Sequence, residues 1–199
     1  MVKFTTYEKK RNTNVSPEPK GSKGPKHSHS DNTFVIQKHA AQSLHYDFRL
    51  GIAGVLKSWA IPKGLSEKIG EKRLAVRTKD HPFSYASFEG VIPKGHYGGG
   101  TVMVWDKGDF ELISDPEKKT AKPALQALKE GTLKINLKGK KIQGHYALIR
   151  IKKTAQEEHW IIFKVKDEGA AHHGFKDQSK SVLSERSLEE ITRQEGGDT

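Results

Sequence analysis

Between positions 39 and 49 the chain sets two histidines, an aspartate and an arginine (His39, His45, Asp47, Arg49) into an alternating pattern. In Leu44-His45-Tyr46-Asp47-Phe48-Arg49-Leu50 every second side chain is polar. Successive side chains of a strand point to opposite faces, so Leu44, Tyr46, Phe48 and Leu50 share one face and His45, Asp47 and Arg49 the other. Phe34 to His39 alternates likewise, Phe34 and Ile36 against Gln37 and His39, and Ala40 to Ser43 makes a connection of hairpin length. If the two runs pair, two imidazoles and a carboxylate converge on one sheet face with a guanidinium at its end. Two neutral imidazoles and one carboxylate can hold a divalent ion and leave it open positions, as catalysis requires. Arginine is a poor neighbour for that cation unless an anion lies between them. The chemistry suggested is a metal beside an anion clamp. A strand facing water also alternates, although its polar positions are usually Lys, Glu, Thr or Ser. On spacing alone both readings stand.

The elements that must carry these residues are legible from punctuation by Gly and Pro. Strands are expected at Phe34–His39, Leu44–Leu50, Val55–Ile61, Arg73–Thr78, Phe88–Ile92, Thr101–Asp106, Asp109–Ile113, Thr132–Leu137, His145–Lys152 and Trp160–Val165. Pro123 to Glu130 reads as a helix, with proline suited to the first turn and Gly131 after its end. Ser187-Leu-Glu-Glu190 is a capping box that opens a second short helix. So many strands in so short a chain predict a mainly β protein, a closed or nearly closed barrel, because closure removes exposed edges. Trp59, Trp105 and Trp160 sit in apolar strand patterns and are expected in its core.

Residues 1–32 are poor in apolar side chains and rich in Lys, Pro, Gly and Ser, so they read as a basic tail preceding a barrel at 33–168. Residues 169–199 form a C-terminal extension with the short helix. At 199 residues one domain with tails is expected, long enough to bury a core. The net charge of +11 favours a polyanionic partner. The absence of cysteine removes thiolate nucleophiles, disulfides and cysteine-based zinc sites. No stretch approaches the length of a membrane span, so a soluble cytoplasmic protein without membrane contact is expected.

Two further clusters are ambiguous on residue types. Asp80-His81-Pro82-Phe83-Ser84-Tyr85 could be a turn with a core tyrosine. Gly90 to Gly100 (GVIPKGHYGGG) could cradle a phosphate, but it lacks the Lys-Ser/Thr ending of a P-loop and reads as a tight turn.

Taken in order, Glu18-Pro19, FVIQKHAAQSLHYDFRL (34–50), SWAIPKG (58–64), RLAVRTKDHPFSYASFEGVIPKGHYGGG (73–100), WDKG (105–108) and WIIFKVKD (160–167) resemble the 3′-phosphoesterase module of bacterial DNA ligase D. The resemblance covers about residues 9–167. It implies a compact β-barrel that trims 3′ ends in DNA repair, removing a 3′-phosphate or a 3′-terminal ribonucleoside from a primer strand. It also implies a divalent metal, manganese first and zinc or cobalt as substitutes. Carried over by position, metal ligands fall on His39, His45 and Asp47, and phosphate-binding residues on Arg49, His81 and Tyr85. His81, protonated, would assist the leaving group, and Glu18 would join the catalytic set. Arg11 and Gln37 match further functional positions, while Lys63 and Arg73 match basic positions facing nucleic acid. Asn12 and Lys79 depart from the pattern, each standing where an acidic residue is usual, which bears on the balance between the two reactions.

The implied partners are DNA or DNA/RNA primer–template ends. No ligase or polymerase segment is present, so those activities are expected on separate chains, with this one a monomer. Two other classes fit parts of the sequence. A non-haem iron oxygenase would use His45-x-Asp47 with a distant His145 and Arg150 nearby, and would not need His39. A non-catalytic nucleic-acid-binding barrel would need exposed aromatic platforms and no metal cluster.

Overall fold

The computed structural model describes residues 17–19, 31–114, 122–166 and 178–196. Its strands are β1 (Thr33–Ala40), β2 (Leu44–Ile52), β3 (Val55–Ile61), β4 (Arg73–Arg77), β5 (Gly90–Ile92), β6 (Gly100–Leu112), β7 (Thr132–Gly139), β8 (Gln143–Lys153) and β9 (Glu158–Lys164). They pair antiparallel in the order β1-β2-β3-β4-β9-β8-β7-β6-β5, and β1 also pairs with β6. Eight strands therefore close a barrel, and β5 lies outside the ring as a ninth strand on β6. Two short helices, α1 (Ala124–Glu130) and α2 (Leu188–Gln194), and a 3₁₀ turn at Phe83–Ser87 complete the fold.

Most expected elements are present, with instructive differences. The runs 101–106 and 109–113 are one continuous strand, not two. Gly108, which suggested a break, faces Gly139 across β7, and a Cβ there would sit 2.1 Å from the Lys138 carbonyl oxygen. The glycine lets two backbones approach rather than ending the strand. The strand expected from Phe88 begins only at Gly90, because the Phe88 N–H closes the 3₁₀ turn onto the Tyr85 carbonyl. Pro123 precedes α1 instead of entering it, and Gly131 ends that helix with φ 90°. The capping box forms: the Ser187 side chain accepts from the Glu190 N–H while the Glu190 carboxylate accepts from the Ser187 N–H.

The barrel interior holds Phe34, Ile36, Phe48, Leu50, Met103, Tyr146 and all three tryptophans, each almost wholly buried. Trp59 and Trp160 meet edge-on at 5.9 Å between ring centroids. Leu188 and Ile191 of α2 join the same core, so the C-terminal helix is part of the packed domain. The Val182 N–H donates to the Val104 carbonyl and Trp105 Nε1 to the Gln178 carbonyl, fastening that segment to β6. A second cluster lies on the opposite face of β1, β3 and β6: Val35, Leu56, Val102 and Val104 pack against Tyr85, Phe88 and Ile92. Residues 81–92 thus roof the outer face of the barrel beside β2. Among the described residues no helix is long and apolar enough to cross a membrane.

Candidate metal centre and anion pocket

Register assembles the site. His39 stands opposite His45, Gln37 opposite Asp47 and Val35 opposite Arg49 across β1 and β2. On the other side Asp47 faces Ala60 and Arg49 faces Ser58 of β3. Phe34, Ile36, Phe48 and Leu50 point into the barrel, so the polar residues share its outer face, as the alternation requires. That face would be water-exposed on a bare barrel. Here the roof buries it, leaving Gln37 at 0 % and Arg49 at 3 % exposure.

His39, His45 and Asp47 form a cluster whose ligand atoms all lie within 4.8 Å of one another. His39 Nε2 lies 2.9 Å from the Gly98 carbonyl oxygen, which can only accept, so Nε2 carries the hydrogen and Nδ1 keeps its lone pair. His45 is oriented the opposite way: Nδ1 donates to the Ser43 carbonyl at 2.9 Å, freeing Nε2. Among the described residues His39 Nδ1 is buried without a hydrogen-bond partner, 3.6 Å from Asp47 Oδ2. Buried polar atoms are rarely left so, and an orphaned imidazole lone pair beside a second imidazole and a carboxylate fits a metal ion. Asp47 Oδ2 accepts from Arg49 Nη2 at 2.9 Å. Burial alone would raise the Asp47 carboxyl, but the Arg49 guanidinium, with His39 and His45, outweighs it and holds the group well below the usual carboxylate range. The carboxyl is therefore ionised through the neutral range.

Arg49 is the hub of the adjoining pocket. Nε donates to Gln37 Oε1 at 2.7 Å, Nη1 to Ser58 Oγ at 3.0 Å and to His81 Nδ1 at 2.8 Å, and Nη2 to Asp47. Its guanidinium also lies 4.9 Å from the Tyr85 ring centroid. These bonds use four of the five N–H donors and leave one, on Nη2. Arginine only donates, so His81 Nδ1 accepts from Arg49 and the ring donates through Nε2. Its backbone is pinned by reciprocal bonds with Leu56 of 2.9 and 3.0 Å.

Gln37 is wholly buried; its Nε2 donates to the Tyr85 and Phe88 carbonyls at 3.1 and 3.0 Å. It therefore positions Arg49 and the roof and does not face nucleic acid. Glu18 is 4 % exposed and accepts from the Tyr85 hydroxyl at 2.9 Å, so this position of the basic N-terminal segment is packed against the site. Arg11 and Asn12 lie outside the described residues.

A cavity of about 250 Å³ opens onto His39, His45, Asp47, Arg49, His81 and Tyr85, with Lys79 in its wall. Lys63 and Arg73 are not there. They line a separate cavity of about 410 Å³, where Arg73 pairs with Glu71 at 3.1 Å. His145 stands on β8, four strands from β2 either way around the ring. Arg150 is occupied with the Leu128 and Lys129 carbonyls and with Glu158. The two-histidine grouping of an oxygenase is not assembled. The buried tryptophans likewise offer no stacking platforms.

Sequence reasoning missed Ser58, Thr78, Tyr97 and Gly98. Ser58 had a signal, since pairing of two alternating strands sets it opposite Arg49. Thr78 lines the cavity with a buried Oγ1 that has no partner among the described residues, and Gly98 contributes a backbone carbonyl. No residue-type pattern marks either.

Residues 37–150 match the DNA ligase D 3′-phosphoesterase domain family. The chain is 44% identical over 186 residues to the multifunctional non-homologous end joining protein LigD of Pseudomonas aeruginosa, an alignment covering 92% of this chain and 21% of that protein. It is 42% identical over 168 residues to the protein of the same name from Mycolicibacterium smegmatis, covering 83% and 21%. Against the multifunctional non-homologous end joining DNA repair protein LigD of Mycobacterium tuberculosis the identity is 41% over 166 residues, covering 83% and 20%. The chain spans about one fifth of the length of these relatives.

Proposed function

The chain belongs to the DNA ligase D 3′-phosphoesterase domain family, and from that premise we propose that it is a metal-dependent phosphoesterase that processes 3′ ends in DNA repair. Its substrates are primer–template ends, DNA or DNA/RNA, from which it removes a 3′-phosphate or a 3′-terminal ribonucleoside. The observation that carries this reading is the pair of oppositely oriented imidazoles, with His39 Nδ1 and His45 Nε2 both turned toward Asp47 beside a guanidinium-centred pocket. The family resemblance points to manganese, with zinc or cobalt as substitutes, and two imidazoles with one carboxylate can hold such divalent ions.

A divalent ion held by His39, His45 and Asp47 supplies Lewis-acid polarisation of a phosphate oxygen. The chain's own residues do the rest. Asp47 ties ligand set to anion pocket, because Oδ2 accepts from Arg49 and lies 3.6 Å from His39 Nδ1, while Oδ1 lies 3.9 Å from His45 Nε2. Arg49 contributes its remaining Nη2 hydrogen to the phosphate and, through Nη1, holds His81 Nδ1 so that the ring donates through Nε2. His81 then donates to a phosphate or leaving-group oxygen. Tyr85 borders the same anion, its hydroxyl turned by Glu18. Lys63 and Arg73 extend the nucleic-acid track outside the pocket. The relatives are named as multifunctional end-joining proteins; ligase and polymerase activities act with this chain as partners.

The test is a labelled primer–template ending in a 3′-phosphate or one ribonucleotide, incubated with manganese or with chelator. Conversion to a 3′-hydroxyl should require metal and should fall on the order of a hundredfold or more in His39→Ala, His45→Ala and Asp47→Ala. Full activity in excess chelator, or in His39→Ala, would remove the metal mechanism.

A further inference from the structure

The cavity of about 410 Å³ lies back to back with the metal centre across β2. Side chains alternate along that strand, so His45 and Asp47 line the catalytic cavity while Tyr46, between them, lines the other. Gly64 takes φ of +67° and turns the chain against the Tyr46 ring, which an added Cβ would meet at 3.0 Å. The segment that follows brings Lys68 and Glu71 to the same cavity as Lys63 and Arg73, so three cations face two carboxylates, Glu67 and Glu71. Lys63 and Lys68 are exposed.

The Arg73 guanidinium is incompletely used. Its Nε and Nη2 hydrogens share one edge, the edge that a carboxylate or phosphate can bracket with two oxygens. Glu71 meets that edge at one point only: Oε1 lies 3.1 Å from Nη2, while Oε2 accepts from the Ser66 hydroxyl. Arg73 Nε is buried and has no hydrogen-bond partner among the described residues. Buried donors are rarely left so, and this one marks a place for an acceptor that Glu71, tied to Ser66, does not fill. The carboxylate is presented by a closed turn. The Lys68 N–H donates to Ser66 Oγ at 3.1 Å, and the Glu71 N–H donates to the Lys68 carbonyl at 3.2 Å. The Ser66 hydroxyl, and then the charges of Arg73, Lys68 and Lys63, hold the Glu71 carboxyl below its ordinary value, so it stays an anion.

Resting on the phosphoesterase reading, we propose that this cavity is a second phosphate subsite, for a backbone phosphate of the nucleic-acid substrate, and that Glu71 occupies Arg73 until that phosphate displaces it. The phosphate takes Nε and Nη2 together, which Glu71 cannot do, with Lys63 and Lys68 beside it. A free anion must compete with Glu71 from solution. A strand whose 3′ end is seated across β2 presents its phosphate at a high effective concentration and wins that competition.

The experiment uses the full chain and a fluorescein-labelled primer–template ending in a 3′-hydroxyl, which binds without being cleaved, titrated by anisotropy across a salt series. Glutamine keeps the shape of residue 71 and can still accept from Ser66, but gives up the charge on Arg73. Glu71→Gln should bind about fivefold more tightly at low salt, the upper end for an exposed ion pair. It should also steepen the slope of log affinity against log salt by up to about 0.9. Glu67→Gln removes an equal charge from the same cavity wall but leaves the ion pair, and should gain less than about twofold. In an Arg73→Ala background the gain from Glu71→Gln should disappear. Equal gains for the two glutamine variants, or a gain that survives in Arg73→Ala, would mean that Glu71 acts only through the overall field and overturns the displacement. No gain in Glu71→Gln overturns the subsite. If binding behaves as expected while wild type leaves a 3′-phosphate end uncleaved with manganese, the subsite stands and the phosphoesterase reading fails instead.

Discussion

Arg49 shows how one buried cation can organise a site without being its chief ligand. Its fork joins Gln37, Ser58, His81 and Asp47, which lie on three strands and the roof. Lysine cannot span that set, since it is a point charge on a flexible stem. Arg49→Lys should lower turnover on the order of a hundredfold and destabilise the fold by about 1–3 kcal/mol, because buried acceptors lose their donors; urea titration and rates on a 3′-phosphate end measure both. Wild-type turnover in Arg49→Lys would show that the fork is ornamental. Asp47 allows a test by pH. Its folded-state pKa is depressed, so its ionisation stabilises the fold fully above the ordinary value of about 3.9 and loses that contribution as pH falls toward the depressed one. With chelator present, the stability gap between wild type and Asp47→Asn should narrow as pH drops below about 4. A gap independent of pH would mean that Arg49 does not hold the carboxylate.

Elements decide where these residues can act. β6 runs unbroken through Gly108 because the missing side chain admits the Lys138 carbonyl, and Asp106 just before it accepts four backbone N–H groups, from Lys107, Lys140, Lys141 and Ile142. Burial pushes the Asp106 carboxyl up, against those four bonds, which pull it down. Together they lock the β7–β8 turn onto β6, the strand that closes the barrel against β1. Gly108→Ala should therefore cost more than about 2 kcal/mol by overpacking, seen as a lowered urea midpoint, and should loosen the β1 face that carries His39. An unchanged midpoint would mean that the two backbones can separate freely. Ser187 works on a smaller scale. Removing its cap by Ser187→Ala should cost about 1 kcal/mol in the same titration, since α2 brings Leu188 and Ile191 into the core.

Across the whole molecule, a net charge of +11 and two separate cavities suggest a nucleic-acid track longer than the catalytic pocket. Lys63 is exposed in the second cavity, whereas Arg73 is already paired with Glu71. A cation that neutralises one DNA phosphate contributes about 0.9 to the slope of log affinity against log salt, through the counterion it releases. Lys63→Ala should flatten the slope by about that amount, and Arg73→Ala by less, because its charge is partly spent within the protein. Equal slopes for wild type and Lys63→Ala would take the second cavity off the DNA path.

The sequence alone determined which residues share a face. A period of two is a property of the strand, so His45, Asp47 and Arg49 had to lie together, and a hairpin-length connection brought His39 and Gln37 beside them. The closed barrel, the buried tryptophans and the capping box followed from equally local rules. Only the tertiary structure decided that the polar face would be roofed, because residues 81–92 and Glu18 reach it from distant positions through contacts that no periodicity encodes. The roof turns an exposed strand face into a buried pocket and brings His81 onto Arg49, whose other hydrogen-bonded partners are Gln37, Ser58 and Asp47. Hydrogen-bond valence is counted over partners in space, and a sequence does not contain that count.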